Sequence, residues 1–242
     1  MNDISNAIFN IRKIDELGDK FTIIHRIDSS IKIIVTIIYV IKVLSIKEFI
    51  AEDIIFVLIY TSTLFIFGKV PLKFILKKVL FVLPIVMGLS VINLIIDFSY
   101  AEIYFSLVLL FKCIFSLIGA LLLIVTTGIN NLVCGLKKLK IPNILTMQIL
   151  MLYRYIILIM EEFYRVKSAY ELRTIGEKSM TMKDYGQIIG QMLLKTIDRS
   201  EKVYESMKLR GFEGDLYISS NKRAGYIDFL YLITFTVILI FL

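Results

Sequence analysis

Apolar residues run through this chain in five long stretches, about 30–46, 51–67, 79–96, 103–127 and 227–242, the first four separated by short charged connections. Runs of roughly 17–25 apolar residues cross a hydrocarbon core of ~30 Å as helices. Lys32 and Lys42 interrupt the first run, and their long stems can snorkel toward the interfaces. The pattern changes between 130 and 223. There it becomes amphipathic, with apolar residues at three-to-four spacing and charges on the opposite face. A helix is predicted from about 143 to 172, opened by Pro142, whose missing N–H suits a first turn. A second is predicted from about 182 to 209 and is stopped by Gly211, which takes the left-handed conformation cheaply. Residues 176–181 read as the break between them, and 212–215 as a turn.

The pattern describes an all-α integral membrane protein with about five transmembrane helices and two long cytoplasmic amphipathic helices. Its parts are an interfacial segment (1–29), a four-helix transmembrane region (30–129), a charged region (130–223) and a C-terminal transmembrane helix (224–242). Charges interleaved with Ile8, Phe9, Ile11, Ile14, Leu17 and Phe21 make the first segment amphipathic, the habit of a helix lying at a membrane surface. It holds no apolar core of the kind a cleaved leader needs. The first half of the 143–172 helix is apolar nearly all round. A sixth span is the competing reading of that half, but Arg154 in its middle would be costly at the bilayer centre. A helix half in the interface, beneath the other spans, fits better.

Charge sets the orientation. The chain carries a net +7. Residues 130–223 hold 16 Lys and Arg against 10 Asp and Glu, a local net of +6. Further basic residues crowd the N-terminus (Arg12, Lys13, Lys20, Arg26) and the connection after the second span (Lys69, Lys73, Lys77, Lys78). The bias toward basic cytoplasmic loops puts the N-terminus and the long block inside a plasma membrane and the C-terminus outside. Anionic headgroups and topology account for these cations beside the lipid bilayer, so nucleic acid is not an expected partner. Cys113 and Cys134 have no metal-ligand or disulfide spacing.

The two amphipathic helices end alike, on Leu172-Arg173 and Leu209-Arg210, 37 residues apart. In the same register each has a basic residue followed by valine (Arg165-Val166, Lys202-Val203) and a small residue one turn before the arginine (Ala169, Ser206). Cations at a helix C-terminus complement its dipole, which explains either arginine alone. The repeat favours a second role, since arginine is a planar, permanently charged fork suited to carboxylates on a partner. Both explanations stand at the level of spacing.

Several of these residues resemble a known family. His25-Arg26-Ile27-Asp28, Leu139-Lys140-Ile141-Pro142, Tyr153-Arg154-Tyr155, Glu161-Glu162 with Arg165, and the run from Asp198-Arg199-Ser200 to Gly211-Phe212-Glu213-Gly214 are similar in content and order to the transmembrane T component of energy-coupling factor (ECF) transporters, in particular its CbiQ-type subunit of cobalt and nickel uptake. The family's two Ala-Arg-Gly signatures map onto Leu172-Arg173-Thr174 and Leu209-Arg210-Gly211, where only the arginine is kept in both. Ser29-Ser30 and Lys195 also depart from the usual pattern. The resemblance implies a subunit that docks two ABC ATPase subunits through Arg173 and Arg210. It would pass their ATP-driven motion to a separate substrate-binding integral membrane subunit, for cobalt or nickel uptake. Ala169 and Ser206 would let the coupling helices approach each other.

An enzyme is not expected. One histidine, His25, cannot build a multi-His metal site, and no Gly-x-x-x-x-Gly-Lys-Ser/Thr loop occurs for binding ATP. No catalytic, cofactor-binding or metal-binding residue is predicted. An autonomous secondary transporter is the alternative. It would be expected to show two related halves with broken helices at the midplane, and such halves are not evident.

Overall fold

The computed structural model describes residues 17–18, 22–46, 51–96, 100–173, 181–214, 225, 228, 231 and 233–235. The described chain is helical, with no strand among those residues: α1 (Ile23–Arg26), α2 (Ser29–Ser45), α3 (Ala51–Gly68), α4 (Leu72–Ile96), α5 (Tyr100–Thr127), α6 (Ile129–Lys138), α7 (Asn143–Arg173) and α8 (Met182–Leu209). The protein is an all-α membrane protein. Ile103–Thr127 within α5 and Asn143–Arg173 are both long and apolar enough to cross a bilayer. Most of the predicted interfacial segment 1–29 and of the last span 227–242, and residues 176–180 of the predicted break, lie outside the described residues.

The chain divides into two compact units, one formed by residues 14–139 and 220–242, the other by residues 1–13 and 140–219. The first holds α1 to α6, so α6 groups with the apolar helices and not with the charged region that follows it. The second holds α7 and α8.

The first unit is organised around Tyr39 on α2, which is fully buried. Its ring stacks on Tyr60 of α3 at 4.1 Å, and Tyr60 meets Phe235 edge-on at 5.2 Å. The ring of Tyr39 also occupies the space a side chain at position 119 of α5 would need. A Cβ built on Gly119 lies 2.5 Å from Tyr39 Cε1. A hydroxyl inside a bilayer needs a protein partner, since lipid offers none. Tyr39 donates to the Phe115 carbonyl at 3.2 Å, and Tyr60 pairs with Thr36 Oγ1 at 2.8 Å. On α4, Leu72, Leu76, Leu80 and Phe81 are exposed.

Lys32 does not behave as the sequence predicts. Lys32 is only 3% exposed and donates its ammonium to the Thr126 carbonyl at 3.0 Å. Thr126 is one of the last residues of α5, whose carbonyls have no partner within the helix. The cation therefore caps the negative end of α5 instead of snorkelling outward. Lys42 pairs with Asp53 of α3 at 3.0 Å.

In the second unit, α7 begins as Pro142 predicts. The Pro142 carbonyl accepts the Leu145 amide at 3.0 Å, and Pro142 gives up no hydrogen bond by lacking an N–H. Helix α8 ends on a closed turn. Gly211 has φ +80°, its amide donates to the Lys208 carbonyl at 3.0 Å, and the Phe212 amide reaches back to the Met207 carbonyl at 3.1 Å. These two bonds make the Schellman pattern that satisfies the orphan carbonyls of a helix end.

Candidate coupling helices

Helices α7 and α8 meet through a line of polar contacts whose register fixes their relative direction. Arg199 of α8 lies over the Tyr155 ring at 6.0 Å. Lys195 donates to Glu162 Oε1 at 2.6 Å, and Arg199 reaches Glu162 Oε2 at 3.7 Å. Tyr170 hydrogen-bonds Asp184. As the α7 residue number rises from 155 to 170, its α8 partner falls from 199 to 184. The two helices are antiparallel.

That direction decides where the arginines stand. Arg173 is the last residue of α7, and Arg210 caps α8 beyond Leu209. Counting outward from the Glu162–Lys195 contact at ~1.5 Å per residue, the two ends lie roughly 40 Å apart along the pair. Both arginines are exposed. The leucines before them are more so, Leu172 at 79% and Leu209 at 90%. Among the described residues, neither arginine forms an ion pair. Each end thus presents an apolar side chain and a cation together.

The antiparallel register does not bring Ala169 and Ser206 together. Both are exposed, near opposite ends of the pair, and Ser206 Oγ donates to its own helix at the Lys202 carbonyl (2.7 Å). Where the helices do approach, they leave an apolar groove of about 360 Å³ lined by residues that include Met147, Met151, Tyr155, Val203 and Met207. Glu162 is the electrostatic centre of the pair. The Lys195 hydrogen bond opposes the cost of burial, Arg199 and Arg165 add to it, and the carboxyl is held below its ordinary value. At the start of α8, Asp184 accepts from both the amide and the hydroxyl of Thr181, at 2.9 and 2.6 Å. These bonds close that helix end.

His25 is buried. Its Nε2 lies 2.9 Å from the Leu17 carbonyl, and its Nδ1 contacts Thr22 Oγ1. Among the described residues, no group of three or more His, Cys, Asp or Glu is placed to hold a metal.

With this geometry in place, comparison with known proteins is decisive at the level of family. The profile of the cobalt transport protein family CbiQ matches residues 20–223. The chain belongs to the CbiQ family. It is therefore a membrane-embedded component of a transporter, and the match takes in α7, α8 and both arginine ends. CbiQ relatives include the energy-coupling factor transporter transmembrane protein EcfT of Clostridium kluyveri, 22% identical over 223 residues, covering 81% of each chain. An uncharacterized protein of Methanocaldococcus jannaschii, MJ1571, is 23% identical over 217 residues, 80% of this chain and 73% of its own length. The nickel permease LarQ of Lactiplantibacillus plantarum is 29% identical over 105 residues. That match covers 43% of this chain and spans 38% of LarQ's own length.

The contacts that direct the pair come from residues the sequence grouped only by resemblance. Glu162, Lys195 and Arg199 stand on the charged faces of their helices, and nothing in their spacing says which charge on one helix meets which on the other.

Proposed function

We propose that this CbiQ protein is the coupling subunit of an ECF-type ABC importer, carrying no catalytic residue of its own. It docks two ATPase subunits and transmits their motion to a separate substrate-binding membrane subunit. The observation that carries the reading is the antiparallel α7–α8 pair, with an exposed Leu-Arg end at each extremity. Two equivalent ends roughly 40 Å apart are too far apart for one small pocket and suit two copies of the same partner. Leu172 and Leu209 offer apolar anchors, and Arg173 and Arg210 offer forks for acidic groups. Gly211 holds the second end in shape. Ala169 and Ser206 then lie one turn inside each end, as small residues that leave room for a partner.

Energy comes from the partners, because the sequence has no phosphate-binding Gly-x-x-x-x-Gly-Lys-Ser/Thr loop. The basic residues of 130–223 put α7, α8 and the N-terminus on the cytoplasmic side of the cell membrane and the C-terminus outside. Cobalt or nickel is the proposed cargo. The family description and the nickel permease among the relatives support that choice.

The test is co-purification in detergent with the ABC ATPases of the same genome, wild type beside an Arg173→Glu, Arg210→Glu variant. The expected outcome is a stable complex with wild type and none with the variant, while the variant inserts and purifies normally. Absence of any ATPase complex with wild type, nucleotide-free and with ATP, would sink the reading. Loss of the folded protein in the variant would return both arginines to a helix-capping role.

A further inference from the structure

The chain leaves the first compact unit after Leu139 and returns to it at Ser220. One residue of that unit, Asp28, bonds both Lys138, just before the chain leaves, and Asp228, eight residues after it returns. Asp28 is 5% exposed and stands at the N-cap of α2, where Oδ1 accepts the Ser30 amide at 3.1 Å. Its other oxygen takes the ammonium of Lys138, the last residue of α6 and two residues before the crossing to Lys140. Its own amide donates to Asp228 Oδ1 at 2.8 Å, and Asp228 Oδ2 accepts the Gly225 amide at 2.6 Å. Asp228 is equally enclosed, at 4% exposure. Three segments far apart in sequence therefore converge on one buried carboxylate and its peptide.

The joint between α6 and α2 is also tight. A Cβ on Gly135 would lie 2.8 Å from Ser29 Cβ, and Ser30 Oγ donates to the Gly135 carbonyl at 3.3 Å. The last turn of α6 and the first turn of α2 are thus joined by an ion pair, a hydrogen bond and a glycine contact. Beyond Lys138 the chain turns sharply, with Lys140 at φ +61°. A residue other than glycine rarely holds that conformation, and such strain persists only where the surroundings over-determine it.

We propose that the Asp28–Lys138 pair is the joint through which displacement of the α7–α8 unit enters the apolar helices, with Asp28 and Lys138 as positioning residues for coupling. The proposal rests on the coupling-subunit reading. A movement imposed on α7 at its start reaches Lys138 through four residues, 139 to 142. From there it passes through the Lys138–Asp28 ion pair, whose carboxylate is buried, into α2, the helix that carries Tyr39 and the packing of α3 and α5. The enclosed carboxylate suits this use, because parting it from Lys138 leaves a buried negative charge without its cation, and the two groups therefore move together.

The test is hydrogen exchange on the whole transporter complex, with and without ATP, comparing wild type, Lys138→Gln and Lys138→Arg. Lys138→Gln removes the charge and leaves the Asp28 cap of α2 in place. In wild type, ATP is expected to change exchange both in α7–α8 and in the first turns of α2. In Lys138→Gln the α7–α8 response persists and the α2 response is lost; Lys138→Arg restores it. An α2 response in Lys138→Gln equal to wild type overturns the proposal. So does an unequal response that only follows a reduced amount of folded complex. If Lys138→Gln does not assemble, Asp28→Asn carries the same comparison, since an amide oxygen still caps the helix. Failure of the coupling reading is distinguishable. In that case wild type binds no ATPase, or its α7–α8 pair does not respond to ATP.

Discussion

Lys195 of α8 reaches Glu162 of α7 across 2.6 Å, and Arg199 one turn later reaches the other oxygen of the same carboxylate at 3.7 Å. One acid thereby gathers two cations from the facing helix and sets the register in which Arg173 and Arg210 point to opposite extremities. Replacing Glu162 by Gln is expected to loosen α7 from α8 by about 1 kcal/mol or less, the scale of exposed pairs. A double-mutant cycle of Glu162→Gln with Lys195→Met, read by thermal unfolding in detergent, measures the coupling. Additive effects of the two substitutions would mean the contact does not hold the pair together.

The same carboxylate gives the pair a pH dependence. Lys195 first, and then Arg199 and Arg165, hold the Glu162 carboxyl below its ordinary value of 4.5 against the cost of burial. A group whose value is depressed in the folded state stabilises it fully above the unfolded value, and loses that contribution as pH falls through the folded one. Asp28 has the same sign. Burial raises it, but the Lys138 hydrogen bond and the Ser30 amide outweigh burial and hold it below 3.8. Stability is therefore expected to be flat from neutral pH down to the ordinary carboxylate range and to fall below it. Unfolding midpoints measured across that range check the sign, and Glu162→Gln should flatten part of the fall.

Gly119 is expected to tolerate no side chain. Even Ala brings a carbon to 2.5 Å from the Tyr39 ring, which also stacks on Tyr60. Overpacking of this kind costs about 1–3 kcal/mol. Gly119→Val should lower the unfolding temperature in detergent more than Gly119→Ala. Gly88, whose built Cβ meets nothing within 4 Å, supplies the control substitution to Ala.

Gly211→Ala acts locally. The left-handed φ of +80° costs an L-residue about 1–2 kcal/mol, enough to fray the last turn of α8 and displace Arg210. Hydrogen exchange should rise at the Gly211 and Phe212 amides, which close the turn, while α7 is unchanged. ATPase binding should weaken without any change of charge. Undisturbed binding would separate Arg210 from the helix end that presents it.

Much of the helical skeleton was legible in the sequence because its signals are local. The expected helix from 143 to 172 differs from α7 by one residue, and the expected 182–209 coincides with α8. Pro142 and Gly211 act on their own turns, and a three-to-four periodicity needs no knowledge of the neighbours. The pairing of arginine ends was visible for the same reason, as a repeat along the chain. Long apolar runs likewise declared a membrane protein, since a bilayer admits few alternatives to the helix.

Tertiary structure decided everything that depends on which face meets which. Lys32 has a stem long enough to snorkel, yet it turns inward because the carbonyl end of α5 lies beside it. Ala169 and Ser206 looked like a matched packing pair, but equal offsets along two helices become opposite ends once the helices run antiparallel. Asp28 meets residues 110 and 200 positions away, and no local pattern encodes a partner at that distance. Local pattern along the chain is enough for the helices, the arginine-bearing ends and the membrane. The direction of the α7–α8 pair, the seat of Tyr39 against Gly119 and the joint at Asp28 arose only when packing and buried charge chose partners across the chain.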